Sequence, residues 1–529
     1  MYTCPNCGGN LKFHIKKQKM VCENCQYEED PYKVQEFHSA EEEQTGEYEA
    51  TVFRCPHCGG EIISEDTTAA TFCSFCGATT VLEPRIVKER KPAYILPFEK
   101  TKEECKDAYA KVLKKALFLP DEYKNPDNIN KFRGIYMPYW DYQYSLNEPF
   151  QFWGIKSRRR GNYEYTDYYD INCHVDMDYK GVCFDASSSF ADHMSEGIAP
   201  YAVKNSKEFT PAYLSGFYAD TSDVGKDVYE ELANERVKED IARKLERRRT
   251  FGKFSVSSYD MNRLGKKISG SAKLVMLPVW FLAYRNGDRV SYAAVNGQTG
   301  KVSAELPVDR KKYFTASAIL SVLIFLLLNW KLTLTPSTLL PIAAILSIVC
   351  MIIINVQMTN LIARDTGRDD IGYVSVKMGL KRPGRDKTER HALITGSFLP
   401  FFVIMFLFNI FGPFLLSRLN SSVVVFVMMV PVYFFIRQIT RFSRREVVHK
   451  NYFGNWKEKI PVLFKPVLGI IAIAAVALIH PVRDEWYYIS VLFSLLMTVF
   501  SFGDIIKYHN KLTSRKLPQF NRRGGDENE

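Results

Sequence analysis

"CPNCGG" at residues 4–9 and "CPHCGG" at residues 55–60 are two copies of one short pattern, and they decide what the front of this chain folds into. After fourteen intervening residues, each copy is followed by a second Cys-x-x-Cys pair. The second set of four cysteines is the first set moved 51 residues along the chain. The two sets are Cys4, Cys7, Cys22 and Cys25, then Cys55, Cys58, Cys73 and Cys76.

This spacing predicts two metal sites. Each Cys-x-x-Cys turn presents two thiolates, and a loop of this length can form a strand pair that brings two turns around one tetrahedral Zn²⁺. We therefore predict two structural zinc ions, held in small β ribbons at residues 1–30 and 51–83. Structural disulfides and redox-active pairs are the alternatives, but matched quartets without a preceding secretory signal favour metal.

The charge of this front end bears on its partners. Residues 1–91 carry 10 basic and 15 acidic side chains, and the linker at residues 31–50 is itself acidic. A zinc ion with four thiolates adds a formal charge of −2 at each site. Because such a surface repels phosphates, nucleic acid is not an expected partner of the ribbons. A nucleic-acid binder would need a basic face with exposed aromatic side chains there.

The middle of the chain repeats itself. "PAYILPFEKTKEECKDAYAKVLKK" from Pro92 resembles "PAYLSGFYADTSDVGKDVYEELANERVKED" from Pro211, an offset of 119 residues. "YMPYWDYQY" at 136–144 likewise matches "LPVWFLAY" at 277–284. Each copy shows an extended aromatic stretch, an amphipathic helix and further strands. We predict a duplicated α+β module with repeats at 92–200 and 211–308. Its many aromatic residues are expected in the core rather than around a ligand.

Catalytic patterns are sparse. The sequence contains no GxxxxGK[ST] loop for nucleotide phosphates, and neither HExxH nor GxSxG. Cys173, His174, Cys183 and His193 lie close together and could form a third metal site or a nucleophile pair. Their spacing fits neither a zinc turn nor a known nucleophile elbow. We therefore do not expect an enzyme.

The last part of the chain is predicted to lie in a membrane. Its apolar stretches of 18 to 25 residues are each long enough to cross a bilayer as a helix. They lie at 313–330, 334–358, 392–417, 419–436, 462–479 and 486–503. We predict an all-α domain of six transmembrane helices at 313–506 and a polar tail at 507–529. Lys465 interrupts the fifth stretch, which makes it the weakest of the six.

Charge in the loops predicts the orientation. The loops on one side hold 24 Lys and Arg residues, whereas those on the other side hold only Lys331, Arg418 and Arg483. Basic loops stay in the cytoplasm, so both termini are expected there. No charged residue lies deep inside a predicted span, which counts against a pump or an ion-coupled carrier.

Five motifs carry a family resemblance: "YILPF", "YMPYW", "PAYLSGFYAD", "LPVWFLAY" and "VNGQTGKVSAELPVDRKKY". Over roughly residues 55–313 the chain resembles a bacterial family of zinc-ribbon membrane proteins that is common in Firmicutes. The ribbons resemble those of transcription factor IIB. The chain is also similar to the zinc-ribbon membrane component that works with an SPFH (flotillin-like) protein to recruit phage-shock-type scaffolds in envelope stress. The resemblance implies a protein partner of one of these two types.

Together these features predict a multidomain, non-enzymatic adaptor in the cell membrane. It would cross the membrane several times, contact membrane lipid and present a cytoplasmic protein-binding module, in envelope stress or membrane organisation. Two alternatives stay open: a transporter or channel with a cytoplasmic sensing domain, and a membrane-tethered nucleic-acid-binding protein.

Overall fold

The structure is a computed structural model that describes most of the soluble part and several apolar helices. The described residues are 2–35, 47–64, 73–79, 82–161, 163–247, 255–257, 259–260, 263–264, 269–329, 335–366, 371–372 and 456–516. The helices within these ranges are α1 (Pro31–Gln35), α2 (Lys102–Lys115), α3 (Pro126–Ile129), α4 (Asp192–Ile198), α5 (Glu230–Arg247), α6 (Arg310–Asn329), α7 (Pro336–Thr366), α8 (Trp456–Ile479) and α9 (Glu485–Thr513).

Sixteen strands occur in the same ranges. They are β1 (Leu11–His14), β2 (Lys19–Cys22), β3 (Glu28–Glu29), β4 (Glu47–Arg54), β5 (Glu61–Ile63), β6 (Glu83–Arg90), β7 (Tyr94–Ile95), β8 (Arg133–Arg160), β9 (Tyr163–Asp185), β10 (Lys207–Glu208), β11 (Tyr218–Asp220), β12 (Ser255–Val256), β13 (Ser269–Asn286), β14 (Arg289–Asn296), β15 (Val302–Ala304) and β16 (Arg515–Lys516). The first three form a small sheet, and the other thirteen form one mixed sheet.

The two sequence repeats pair reciprocally within that large sheet. β8 and β13 lie antiparallel at its centre, with Met137 opposite Leu277. β7, from the first repeat, pairs in parallel with β13 of the second, while β11 of the second pairs in parallel with β8 of the first. Tyr94 and Tyr218 occupy the matching positions in the two short strands. The offset between these two matching strands is therefore five residues longer than the 119 residues indicated by the sequence repeat.

The second ribbon is part of the same sheet. β5 pairs with β11, and β4 pairs with both β5 and β6. The ribbon, the two repeats and the C-terminal strand β16 therefore share one sheet rather than forming separate layers. Short strands with unpaired edges readily join neighbouring strands, which accounts for this merging.

The first ribbon docks on the module by contacts from its β1–β2 hairpin. The Ser215 hydroxyl donates a 2.8 Å hydrogen bond to the carbonyl of Leu11. The Phe13 ring lies 5.0 Å from the Tyr213 ring, and Phe13 is itself buried. Lys16 forms a 3.0 Å ion pair with Glu104 at the start of α2. These contacts and the buried side chains of Tyr2, Leu11 and Met20 join the ribbon to the core of the module.

The prediction of an all-α domain with six transmembrane helices is wrong. In the part of the chain that the structure describes, two helices are long and apolar enough to cross a membrane, Leu339–Met358 within α7 and Glu485–Thr513. The predicted spans at 392–417 and 419–436 lie outside the described residues. The fifth stretch lies within α8 (Trp456–Ile479), of which Phe464–Ile479 is the described apolar part.

Charged residues distinguish two of the predicted spans, those in α6 and α8. α6 begins with Arg310, Lys311 and Lys312, which shorten its uncharged part. Lys465 of α8 forms an ion pair with Asp504 of α9, and each side chain stays about one-third exposed. A count of apolar letters does not show that a lysine in one helix is matched by a carboxylate in another.

The end of α9 returns to the sheet. The Asn510 side chain donates to the carbonyl of Val308 and accepts from its amide, both at 2.8 Å. The Arg289 guanidinium donates to the carbonyl of Lys511 and to the hydroxyl of Ser514. β16 then pairs with β14. The C-terminal strand and the large sheet consequently lie on the same side of the apolar helices.

Candidate metal centres

The first candidate centre joins the first four cysteines. The Sγ atoms of Cys4 and Cys25 lie 3.5 Å apart, and those of Cys7 and Cys22 lie 3.4 Å apart. All four sulfur atoms lie within 4.8 Å of one another. The thiols alternate in burial, because Cys4 and Cys22 are buried whereas Cys7 and Cys25 are exposed. This centre therefore sits at the surface.

The second candidate centre joins the other four cysteines and is buried throughout. The Sγ atoms of Cys55 and Cys76 lie 3.8 Å apart, and those of Cys58 and Cys73 lie 3.7 Å apart. A tetrahedral zinc ion with Zn–S bonds of about 2.3 Å would space its sulfur ligands by about 3.8 Å. The described residues thus contain two groups of four thiols that can each hold a metal ion.

The backbone of each Cys-x-x-Cys turn is shaped for this task. The amide of Gly8 donates to the carbonyl of Cys4, and Gly59 and Gly77 repeat this contact with Cys55 and Cys73. All three glycines have a positive φ, which a residue without a side chain adopts at low cost. Gln26 takes the equivalent place after Cys25 with φ 62, so this turn is the strained one of the four.

In each group, hydrogen bonding favours the thiolate form of one cysteine. A hydrogen bond from the backbone of Cys25 lowers the pKa of Cys22 to about 7. Within the second group, hydrogen bonding from the Cys58 thiol lowers the pKa of Cys55. Thiolates are the form that binds metal, so both groups have a sulfur that gives up its proton readily.

The second centre is tied to the sheet and to the C-terminal strand. Phe75, which lies between Cys73 and Cys76, accepts a 2.7 Å hydrogen bond at its carbonyl from the Tyr292 hydroxyl. The guanidinium of Arg515, in β16, lies 5.8 Å from the centroid of the Tyr292 ring. One side chain of β14 thus touches both the metal turn and the strand that follows α9.

Cys173, His174, Cys183 and His193, which were considered as a third cluster, do not come together. In the ranges that the structure describes, His193 bonds with Glu305 at 2.9 Å, while His174 bonds with Asn147. The Cys183 thiol faces Asp141, and burial raises its pKa. Among these residues, the groups of Cys, His, Asp and Glu that can hold a metal are the two cysteine quartets.

Sequence reasoning missed a buried acidic cluster beside the sheet centre. Asp220 accepts hydrogen bonds from the hydroxyls of Ser187 and Ser189, and burial raises its pKa to about 7. Asp223 accepts from the amide of Ser188 at 2.8 Å. The run "DASSSFAD" at 185–192 is the sequence feature that could have indicated this cluster. Its serines contact Asp220 of β11 only in the folded chain.

The chain was compared with known proteins. It is 30% identical over 318 residues to the uncharacterized protein YdjG of Bacillus subtilis strain 168, across 59% of this chain and 91% of YdjG. The chain belongs to the YdjG family. No profile of a known protein family matches it. No solved structure matches it either, so the YdjG family relationship carries no experimental fold with it.

Proposed function

We propose that this protein is a non-enzymatic membrane adaptor that holds two structural zinc ions and presents a protein-binding surface to the cytoplasm. The adaptor function and its link to envelope stress or membrane organisation extend the resemblance to zinc-ribbon membrane proteins. The observation that carries the proposal is the contrast between the two centres. One is buried in the sheet, whereas the other has two exposed cysteines at the surface of the first ribbon.

Zinc is the metal that the donor sets favour. Four thiolates in a tetrahedral arrangement select zinc or an iron–sulfur cluster over hard cations. Sulfur separations of 3.7 and 3.8 Å at the second centre suit a single small ion. Each ion would contribute on the order of 10 kcal/mol to the folding of its ribbon. Elemental analysis returning two zinc ions per chain would support this assignment.

A rigid surface ribbon suits protein docking. Metal ligation holds the turns around Cys7 and Cys25 in one conformation, so a partner that binds them loses little conformational freedom. The β3 strand and the outer side of β9 add backbone groups to which an extended segment of a partner can pair. The family resemblance favours an SPFH-type or phage-shock-type membrane scaffold as the partner.

Membrane attachment with the sheet and C-terminus in the cytoplasm completes the proposal. It is supported by the two apolar helices, by the exposed apolar side chains of α6 and by the pairing of β16 with β14. The excess of Lys and Arg in the predicted inner loops favours the cytoplasmic side and attracts anionic lipid. Because β16 pairs with β14, the chain must return to the side of the sheet after α9. If these helices span the bilayer, the number of crossings between residues 310 and 514 is therefore even.

The test is co-purification of the full-length protein from native membranes with an SPFH-type or phage-shock-type scaffold of the same cell. Cys7→Ser should abolish the association, because it opens the surface ribbon. Lys111→Ala, at an exposed position of α2, is the control and should retain it. Equal recovery of the scaffold with the wild type and Cys7→Ser would refute a role for the first ribbon in docking.

A further inference from the structure

The longest hairpin of the sheet is formed by β8 and β9. The two strands stay paired from Tyr139 and Asp185 to Arg160 and Tyr163, whereas the described part of β13 pairs with β8 as far as Ser145. At about 3.3 Å per residue, β8 continues for on the order of 50 Å past Ser145, with the short strand β12 paired to it at Gly154 and Ile155. We call residues 153–161 and 163–169 the arm tip.

The arm tip lies at the end of the sheet away from the apolar helices. β8 starts at Arg133, opposite Phe281 of β13, close to the β13–β14 turn where β16 docks. It runs from there toward Arg160. The apolar helices attach at that docking end. The arm tip therefore points away from the bilayer that would hold these helices.

One face of the arm tip combines cations with tyrosines. Residues directly opposite in an antiparallel pair share a face, and the cross-strand register sets which residues these are. The pairs on this face are Gly154–Tyr169, Lys156–Asp167, Arg158–Tyr165 and Arg160–Tyr163. Three cations and three aromatic rings thus lie on one side of a two-stranded ribbon, with a single carboxylate.

These side chains are available to a ligand. Tyr163 is 73% exposed, and Tyr165 and Tyr169 are each nearly half exposed, which is unusual for three rings on one face. Arg158 lies 5.9 Å from the Tyr165 ring and 3.9 Å from Asp167. Within the described part of the arm, Lys156 and Arg160 form no ion pair. The face therefore offers uncompensated positive charge beside open aromatic surfaces.

We propose that this face of the arm tip binds single-stranded nucleic acid. Bases without a partner strand stack on exposed aromatic rings, while a row of cations follows the phosphates. Lys156, Arg158 and Arg160 recur every second residue, about 6.6 Å apart, which is roughly the length of one extended nucleotide. Gly154 presents no side chain opposite Tyr169, whose ring is 47% exposed.

This activity goes beyond the adaptor function and does not depend on it. The acidic charge of the two ribbons argued against nucleic acid as a partner of the ribbons. The arm tip belongs to the first repeat, so that argument does not apply to it. An acidic protein segment could also pair with the three cations, but it would stack less favourably than bases do on the three exposed rings. The exposed rings therefore favour nucleic acid over an acidic protein segment.

The test measures binding of fluorescently labelled 20-nucleotide oligo-dT and oligo-U to the full-length protein in detergent micelles. Both are expected to bind, and the difference between them separates DNA from RNA preference. Combined Lys156→Ala, Arg158→Ala and Arg160→Ala should weaken binding and reduce the salt slope of the log–log plot by about 2. Lys111→Ala, Lys114→Ala and Lys115→Ala on α2 remove equal charge and should change neither quantity.

A second set of variants tests stacking. Tyr163→Ala, Tyr165→Ala and Tyr169→Ala together should weaken binding at least tenfold, whereas the three Tyr→Phe changes should retain it. All variants should keep the wild-type metal content, which controls for folding. The proposal is overturned if neither oligonucleotide binds, or if the arm and control variants behave alike. It is also overturned if the Tyr→Ala set binds normally and poly-glutamate competes, which would indicate an acidic protein partner.

Discussion

The hydroxyl of Tyr292 donates a 2.7 Å hydrogen bond to the carbonyl of Phe75, inside the turn formed by Cys73 and Cys76. The Tyr292 ring stacks 5.3 Å from the Phe281 ring. The Arg515 guanidinium lies 5.8 Å from the centroid of the Tyr292 ring. One tyrosine thus connects the second metal turn, the centre of the sheet and the C-terminal strand. Its effect on the metal can be measured directly.

Tyr292→Phe should speed the loss of metal from the second centre several-fold. The change removes the hydrogen bond to Phe75 but keeps the ring, so we expect a loss of about 1 kcal/mol in unfolding free energy. Release to an excess of chelator, followed with a metal-sensitive dye, gives the rate. Tyr32→Phe is the matched control, because it removes a 3.0 Å hydrogen bond to the carbonyl of Glu208 and lies outside the group of side chains packed around the second centre. Equal rates in the two variants would contradict the prediction.

Chelator should remove the two metal ions in two phases. The exposed sulfurs of Cys7 and Cys25 give a chelator access to the first centre, whereas all four sulfurs of the second are buried. We expect Cys7→Ser to eliminate the fast phase and leave the slow one unchanged. Cys58→Ser should remove the slow phase and destabilise the sheet as well. A single phase in the wild-type protein would count against a difference in accessibility.

Stability should fall as the pH rises through the pKa of Asp220. Burial raises this pKa from 3.8 to about 7, so the folded state holds the proton more tightly than the unfolded state does. The resulting stabilisation is complete below pH 4 and is lost between about pH 4 and pH 7, and it amounts to on the order of 4 kcal/mol.

Asp220→Asn isolates this effect. The amide oxygen can still accept from Ser187 and Ser189, but the group no longer titrates. We expect the variant to be more stable than the wild type at pH 8, and its unfolding free energy to depend less on pH. Urea unfolding at several pH values would show this. An unchanged pH dependence would mean that Asp220 ionises normally.

The ion pair between Lys465 and Asp504 should hold α8 against α9. Removing one partner leaves the other charge without compensation beside apolar helices, so Lys465→Met should destabilise the protein by about 1–3 kcal/mol. The double change Lys465→Met and Asp504→Leu should recover most of that loss. Thermal unfolding in one detergent compares the three proteins. A double variant less stable than Lys465→Met would argue against direct pairing.

Reporter fusions at the C-terminus should signal a cytoplasmic location. The pairing of β16 with β14 places the end of α9 beside the sheet, and the same reporter at the N-terminus should respond alike. A cytoplasmic signal at one end with an external signal at the other would show that β16 does not pair with β14 in the membrane-bound protein.

Short-range patterns predicted the local features of this chain. The Cys-x-x-Cys spacing predicted both groups of four thiols. Pairings between distant segments could not be predicted. Nothing in residues 61–63 indicates that they lie beside residues 218–220, since both are short apolar strands with many possible neighbours.

The arm and the apolar helices were misjudged for related reasons. The aromatic residues of the module were expected in the core, but Tyr163, Tyr165 and Tyr168 are exposed near the end of the β8–β9 hairpin, where β12 adds a neighbour of only two residues. For the helices, the sequence showed the charges of Lys465 and of the start of α6, but it did not show that Lys465 pairs with Asp504. In both cases the surroundings of a segment decided its structure.

The reciprocal pairing of the two repeats bears on how the protein is synthesised. β7 emerges from the ribosome early, but its parallel neighbour β13 ends only at Asn286. α6 begins at Arg310, so an apolar helix is translated soon after that neighbour. β7 must wait for this neighbour almost until the apolar helix α6 is translated. Slowing translation once β13 has left the ribosome would lengthen the interval in which the sheet can close.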